Sequence, residues 1–535
     1  MIRLGIAAGA VALAIQPASA QEQKQRRVQI SPYIEAGQVL AADLQNGDVL
    51  TYSTLGAGID ASIQTRRVEV QLSYQYQHRF AYDKDLTDDN THSGLARAKA
   101  VVAPGLTLEA GAIATRTRSD IRGDAPQSFA GNTRNTSQVY SAFAGPSLAT
   151  HAGPMFVNAA YRFGYTKVDA PDATGVPAGQ PRLDYYDDST VHVATASVGV
   201  KSGTVLPVGI TASGSFTRED AGQLDQRFEG KYGRGDVVLP VARGVALTAG
   251  VGYEQIQISS RDALRNGIGD PVLDSNGRFV TDEASPRRID YDLSGVFWDG
   301  GVIWRPSPRT FLEARVGRRY NSMSYTGSFS YQMGPGSGIQ IGVYDSVESF
   351  GQQLNGSLST LPTAFATTTD PFGNQFSGCI YGTVGSATGG CLNSIFASAV
   401  TSAYRARGVA GVAVLNRGNT RIGIGGGYAK RTFIAPAAPG GLFSLNGTED
   451  ESIYGQLFAS TDIGRNGQLS SSVYASYYST DLPGSDSIIG WGANTAYTHS
   501  FGHLGATVSA GLFGFDREGD SSTQAQALLA LRYGF

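Results

Sequence analysis

From Val68 to Tyr82 the chain alternates between apolar and polar positions. Val68, Val70, Leu72, Tyr74, Tyr76, Phe80 and Tyr82 share one parity with His78, while Glu69, Gln71, Ser73, Gln75, Gln77 and Arg79 occupy the other. Successive side chains of a β-strand point to opposite faces, so this segment predicts a strand with one oily face and one wet face. Its length suffices to cross a bilayer at a tilt, and the aromatics near its end suit a membrane-interface girdle. The final segment repeats the pattern. Ala527, Leu529, Leu531, Tyr533 and Phe535 are apolar, whereas Gln524, Gln526, Arg532 and Gly534 on the other parity are polar or small. A closing strand that ends on an aromatic is characteristic of an outer-membrane β-barrel.

Alternating segments recur from residue 29 to residue 535 and predict about 22 strands, within a range of 18 to 26, in an even number. Between them, short connections alternate with long ones. The short ones include Ala103-Pro-Gly105, Ala242-Arg-Gly244, Arg305-Pro-Ser-Pro308, Arg417-Gly-Asn419 and Gly464-Arg-Asn-Gly467. Gly, Pro and Asn supply the backbone angles of tight turns, so these are read as turns on the periplasmic side. Asp83 to Thr91, Ser119 to Asn135, Val168 to Ser189, Ser260 to Arg288, Val347 to Arg407, Ile434 to Asp450 and Asp516 to Thr523 are read as longer loops on the outer side. An open sheet edge has no hydrogen-bond partner in lipid. The pattern therefore predicts an all-β fold, a single transmembrane antiparallel up-and-down barrel; a soluble β-helix or sandwich array is the alternative. The strand at Phe535 should close the ring against the first strand, near Ile30 to Leu40.

Composition agrees with a barrel: 69 Gly, 26 Tyr and 23 Phe stand against 4 Met, and charged residues make up 16%. After the N-terminal segment, no run approaches the continuous apolar length of a membrane helix, and mean hydropathy is −0.14. Met1-Ile-Arg3, the apolar run Leu4 to Ile15 and Ala18-Ser19-Ala20 read as a secretory signal over 1–20, which leaves 21–535 for the barrel. A net charge of −3 argues against nucleic acid as a partner. The expected surroundings are outer-membrane lipid, lipopolysaccharide and the barrel-assembly machinery of a Gram-negative bacterium.

Ser31-Pro-Tyr-Ile-Glu-Ala-Gly-Gln-Val-Leu40, Gly47-Asp-Val-Leu-Thr-Tyr52 and Arg67-Val-Glu-Val-Gln-Leu-Ser-Tyr-Gln-Tyr76 resemble a β-barrel porin group associated with exopolysaccharide and protein-sorting systems of Gram-negative bacteria. The match covers mainly the first quarter of the chain, and it implies an outer-membrane location without naming a substrate. Similar sequences sometimes carry the label preprotein translocase subunit YajC. That subunit is a small inner-membrane protein with a membrane helix, and nothing here matches one. The C-terminal strand also resembles the barrel-assembly signal through Tyr533 and Phe535, but Leu528 stands where that pattern often has a polar residue.

The candidate functional positions follow from strand parity. Glu69, Arg79, Asn158, Arg162, Glu313, Arg315, Arg319 and Arg532 are placed on inward faces. Charges in a membrane protein face water or one another, so these suggest either a hydrated lumen or a bracing salt-bridge network. The longest loop, 347–407, carries Cys379, Cys391, Phe365, Phe372, Phe376, Tyr381 and Phe396. So many aromatics are costly to leave in water, which predicts a constriction folded into the barrel rather than a surface cap. The two cysteines of an exported chain suggest one disulfide, with two free thiols as the alternative. Only Gln21 to Val28 precede the first strand, too little for the N-terminal plug of an energised siderophore receptor.

Loop carboxylates cluster at Asp83, Asp85, Asp88 and Asp89, at Asp184, Asp187 and Asp188, and at Glu449, Asp450 and Glu451. They are read as solvated loop charges, with divalent-cation binding as the alternative. The six histidines show no catalytic spacing. Arg234-Gly235-Asp236 falls within a predicted strand, and the glycines at 423, 425, 426 and 427 precede no helix that could make a nucleotide loop. The expectation is a porin-like passive channel for small polar or saccharide solutes, with no enzyme activity, cofactor or metal. The alternative is a non-conducting barrel that anchors or binds within an envelope or exopolysaccharide system. Oligomeric state is not legible.

Overall fold

A computed structural model describes residues 28–82, 88–123, 135–171, 176, 183–372, 375–383, 388–436 and 444–535. The segment read as a signal, together with Asp83 and Asp85, lies outside them. The first fifteen strands are β1 Val28–Asp43, β2 Val49–Gln64, β3 Val68–Ala81, β4 Asp89–Ala103, β5 Leu106–Arg118, β6 Thr136–Ala152, β7 Met155–Val168, β8 Asp188–Val200, β9 Gly209–Ala221, β10 Arg227–Ala242, β11 Val245–Ser260, β12 Arg288–Ser307, β13 Thr310–Arg319, β14 Ser322–Gly334 and β15 Ser337–Glu348. An insert follows, with helix α1 Phe350–Leu358 and three small strands, β16 Phe365–Asp370, β17 Gln375–Gly382 and β18 Gly389–Cys391. The wall resumes with β19 Ala403–Arg417, β20 Thr420–Ile434, β21 Glu449–Ile463, β22 Gly467–Thr480, β23 Ile488–Phe501, β24 Leu504–Arg517 and β25 Asp520–Gly534.

The large sheet has 22 strands, each pairing antiparallel with its neighbours in the chain. The first and last strands close the ring, in register from Tyr33↔Gly534 to Asp43↔Gln524. Phe535 extends the seam by donating its N–H to the carbonyl of Pro32 at 3.1 Å. Closure leaves the ring without a free edge strand. Outside, Leu529, Leu531, Tyr533 and Phe535 are exposed, as are Ile30, Ile34 and Leu40 on the facing strand, whereas the intervening Gln526, Leu528 and Ala530 are buried. No described helix is long and apolar enough to cross a membrane; strands do the crossing.

One end of the barrel carries mostly two- or three-residue turns, such as 104–105, 243–244, 308–309 and 418–419. Gly244 shows why: its φ is +77°, and a Cβ there would lie 2.7 Å from the carbonyl oxygen of Arg305. The other end carries the long connections, with exceptions. Asp516 to Thr523 was expected to be a long loop, but β24 and β25 run on to Arg517 and from Asp520, leaving Glu518 and Gly519, the latter at φ +79°. Tyr320 and Asn321 likewise join β13 to β14 with φ of 53° and 58°, the left-handed pair of a tight hairpin turn.

Candidate functional site

The segment between β15 and β19 lies inside the ring. Ser349 caps α1, its hydroxyl accepting from the N–H of Gln352 at 3.2 Å. Phe350, Leu354 and Leu358 recur at helical spacing and are fully buried. They join Leu361, Phe365, Ile380, Leu392 and Ile395 of the insert in one core with Leu95, Ile113, Val139 and Phe143 from the inner faces of β4, β5 and β6. The inner wall here is apolar because it receives a protein surface instead of water.

Polar contacts fix the same docking. Arg97 donates from Nε to the carbonyl of Leu361 and from Nη2 to that of Ser359, both at 3.1 Å, with its guanidinium 5.0 Å from the Phe143 ring centroid. Gln71 exchanges two hydrogen bonds with the backbone of Phe365, at 2.6 and 2.9 Å. Thr363 donates to Glu69 at 2.7 Å, and Arg162 donates to the Ser359 hydroxyl. Farther round, Tyr381 stacks on Phe458 of β21, with centroids 5.6 Å apart. Cys379 and Cys391 are bonded to each other, and their sulfurs lie against Gly425 of β20, where a Cβ would come within 2.6 and 2.7 Å of them. Gly423 admits the Tyr381 ring in the same way. The glycine-rich strand is thus a flat seat for the bonded hairpin.

Phe372 reaches a third part of the wall. It packs edge-on against Phe513 and shares a buried cluster with Val39, Tyr52, Leu528 and Ala530. Leu528, the departure from the usual polar position in the closing strand, therefore serves the insert. Phe396 is partly buried against the main core. The side chain of Phe376 lies outside the described residues.

Among the described residues, the insert leaves an arc of the inner wall open. Between α1 and the strands from β8 to β15 is a cavity of about 390 Å³. A ladder of charges lies along this arc. Arg234 pairs with Asp236 at 2.5 Å and with Asp299 at 3.0 Å. Arg315 bridges Asp236 and Asp299 at 2.9 Å each and holds Glu313 at 2.6 Å. Arg319 binds Glu254 at 2.7 Å, with its guanidinium 4.7 to 5.7 Å from the ring centroids of Tyr320, Phe297 and Tyr232. Every charge in the ladder has an opposite partner, three arginines against four carboxylates.

The remaining candidates are scattered. Arg79 lies 3.6 Å from Asp89 and 5.5 Å from the Tyr52 ring centroid. Asn158 donates to Ser197 at 3.4 Å, and Arg532 bonds Asp60 at 2.6 Å over the Tyr33 ring. Tyr533 and Phe535 face outward, their rings edge-to-face at 5.4 Å. Arg234 and Asp236 of the Arg-Gly-Asp tripeptide are locked in the ladder. Asp236, Asp299 and Glu254 were absent from the sequence-derived set although they belong to the same ladder; parity could have found them, but only the barrel register brings them together.

The carboxylates read as solvated loop charges find partners instead, and Asp184 and Asp450 among them are buried. Glu449 and Glu451 pair with Lys430, Asp450 with Arg431, and Asp187 with Arg278. Asp184 is buried between three connections, accepting from the N–H of Phe279 at 2.9 Å and from Gln223 at 2.8 Å; burial pushes its carboxyl up to about 7. Among the described residues, no group of His, Cys, Asp and Glu is placed to hold a metal ion.

No protein-family model matches the chain, and no curated protein matches it. Solved structures do align with it. The ferric-catecholate import receptor Fiu of E. coli aligns over 94% of this chain and 81% of its own, at 8% identity and a TM-score of 0.44. The FrpB iron transporter of Neisseria meningitidis aligns over 94% and 82%, at 10% identity and 0.42. OpdQ of Pseudomonas aeruginosa aligns over 96% and 99%, at 10% identity and 0.28. At these values the likeness adds nothing to what the strand pairing itself shows, and the resemblance to the exopolysaccharide-associated porin group gains no support. A closed ring of 22 antiparallel strands with an apolar outer face is the architecture of an outer-membrane β-barrel.

Proposed function

We propose that the chain is a narrow outer-membrane channel for passive movement of small polar solutes, saccharides among them. The observation that carries this reading is the uneven filling of the barrel: the insert packs against much of the inner wall and leaves one arc lined by paired charges and tyrosines. Barrels of this width leave a large lumen unless something occupies it. Arg–carboxylate pairs, nearly equal in number of each sign, offer donors and acceptors to hydroxyl groups without strong preference for either ion sign. On this reading, Glu313, Arg315 and Arg319 line the route, whereas Glu69 and Arg162 hold the constriction. The barrel would sit among outer-membrane lipid and lipopolysaccharide and be inserted by the assembly machinery, with Tyr533 and Phe535 as part of its signal.

Swelling of proteoliposomes in isosmotic sugars tests the proposal. Monosaccharides should enter, with rates falling steeply for di- and trisaccharides, and the reversal potential in a salt gradient should stay near zero. If no sugar enters and no salt is conducted, the channel reading fails. The tight packing of the insert would then favour a non-conducting barrel that anchors or binds within an envelope system.

A further inference from the structure

The wall is incomplete at one place, and the lumen cavity lies behind it. The β12–β13 ladder stops at Trp298↔Arg318, so Arg288 to Phe297 of β12 continue upward paired only with β11. On the other side, the β14–β15 ladder runs from Gly334↔Ser337 to Gly327↔Val343 and stops there. Ser322 to Thr326 of β14 pair only with β13, and Tyr344 to Glu348 of β15 only with β19. The β13–β14 hairpin is thus cut short. β13 has 10 residues, about what a tilted strand needs to cross the hydrocarbon, so its turn at Tyr320 and Asn321 lies near the edge of the bilayer. The taller β12 and β15 flank a notch above it.

Three observations make the notch more than a low rim. First, the cavity reaches it: its lining includes Thr326 from one side of the open seam and Tyr344 and Val347 from the other. Second, one side chain stitches the seam. Arg405 of β19 reaches past β15, binding Asp345 at 2.6 Å and the Ser322 hydroxyl at 2.5 Å, with its guanidinium 5.1 Å from the Tyr320 ring centroid. Third, the chemistry changes across it. Outside, Val296, Trp298, Met323 and Tyr325 are exposed apolar groups. Inside, the cavity lining includes apolar Phe228 and Ile256 and two residues with buried acceptors, Glu313 Oε2 and Asn355 Oδ1, that have no hydrogen-bond partner among the described residues. A buried acceptor without a donor is costly, and a hydroxyl group would satisfy it. The volume falls in the range of small-molecule pockets.

We propose that the notch between β14 and β15 is a side port through which an amphiphile with a hydroxylated head, the class that alkyl glycosides represent, passes between the adjoining leaflet and the lumen cavity. The head would donate to an orphaned acceptor, Glu313 next to the foot of the seam at Gly327↔Val343 or Asn355 on α1, and Arg405 would be the latch. The proposal stands whether or not the barrel conducts sugars or salt.

The test uses the full chain in lipid nanodiscs, each variant first shown to be a closed barrel by heat-modifiable gel mobility. The probe is a radiolabelled alkyl glucoside dosed into the bilayer, with empty nanodiscs as background. The wild type should retain the probe saturably. Gly342→Trp, at a cavity-lining position where a Cβ meets nothing within 4 Å, should weaken retention by about tenfold or more. Gly356→Trp, which enters the cavity from α1, should do the same and serves if the first variant does not fold. Arg405→Ala should load severalfold faster at unchanged affinity. No saturable retention by the wild type, or undiminished retention in the filled-cavity variants, would overturn the site. Unchanged loading in Arg405→Ala would overturn the lateral route.

Discussion

At the scale of single residues, the sharpest dependence is Arg431 on β20. It binds Asp450 through both oxygens, at 2.8 and 2.5 Å, and donates to the hydroxyl of Ser398 at 2.6 Å and to its carbonyl at 3.3 Å. Both side chains are 3% exposed, so removing one leaves the other charge buried and alone. Arg431→Met should cost about 3–5 kcal/mol, seen as a lower denaturation midpoint in detergent, and should loosen the C-terminal end of the insert; an unchanged midpoint would contradict this. Asp184 gives a pH dependence of definite sign. Its folded value of about 7 lies above its ordinary one, so the contacts it makes are unpenalised below about pH 4 and weaken as pH rises through 7. Limited proteolysis of residues 261–287 should therefore be faster at pH 8 than at pH 5 in the wild type relative to Asp184→Asn; a ratio constant between the two would refute the coupling. Neither residue announced itself in the sequence. Asp184 read as one of several loop carboxylates, and burial is a property of three connections meeting, not of a local pattern.

At the scale of elements, period-two alternation made the wall legible because each strand answers to the same pair of environments, lipid outside and the interior within. The count of 22 strands and the closing partner of Phe535 followed from that regularity. The insert obeys no such rule. Its apolar residues pack against β4, β5, β6, β21 and β24, so aromatic content could suggest an inward fold, but α1 and the β17–β18 hairpin could not be read. The glycines of β20 had no explanation until the hairpin lay on them. Gly425→Val would place side-chain atoms against the sulfurs of Cys379 and Cys391, and neither backbone nor disulfide can yield there. The variant should displace the hairpin and raise protease access to 360–395; protection equal to wild type would argue against the seat. The shortened β13–β14 hairpin was likewise hidden, because residues 309–319 and 322–333 satisfy a strand pattern whatever their neighbours' heights.

At the scale of the whole molecule, a wide ring is made narrow by a segment of its own chain. Closure joins the first strand to the last, the outer face meets lipid, and the insert fills the inner wall where it is apolar. The open arc carries paired charges of both signs in a ladder that spans β10 to β13. Strand parity put Glu313, Arg315 and Arg319 on one face, but their partners Asp236, Asp299 and Glu254 become neighbours only through the curvature and register of the barrel. The central claim is that the insert sets the width of the lumen. Single-channel conductance in a planar bilayer, compared between the intact chain and a chain lacking 350–400, tests it most directly. The deletion should raise unit conductance severalfold while the barrel stays closed, and equal conductance in the two would contradict the account.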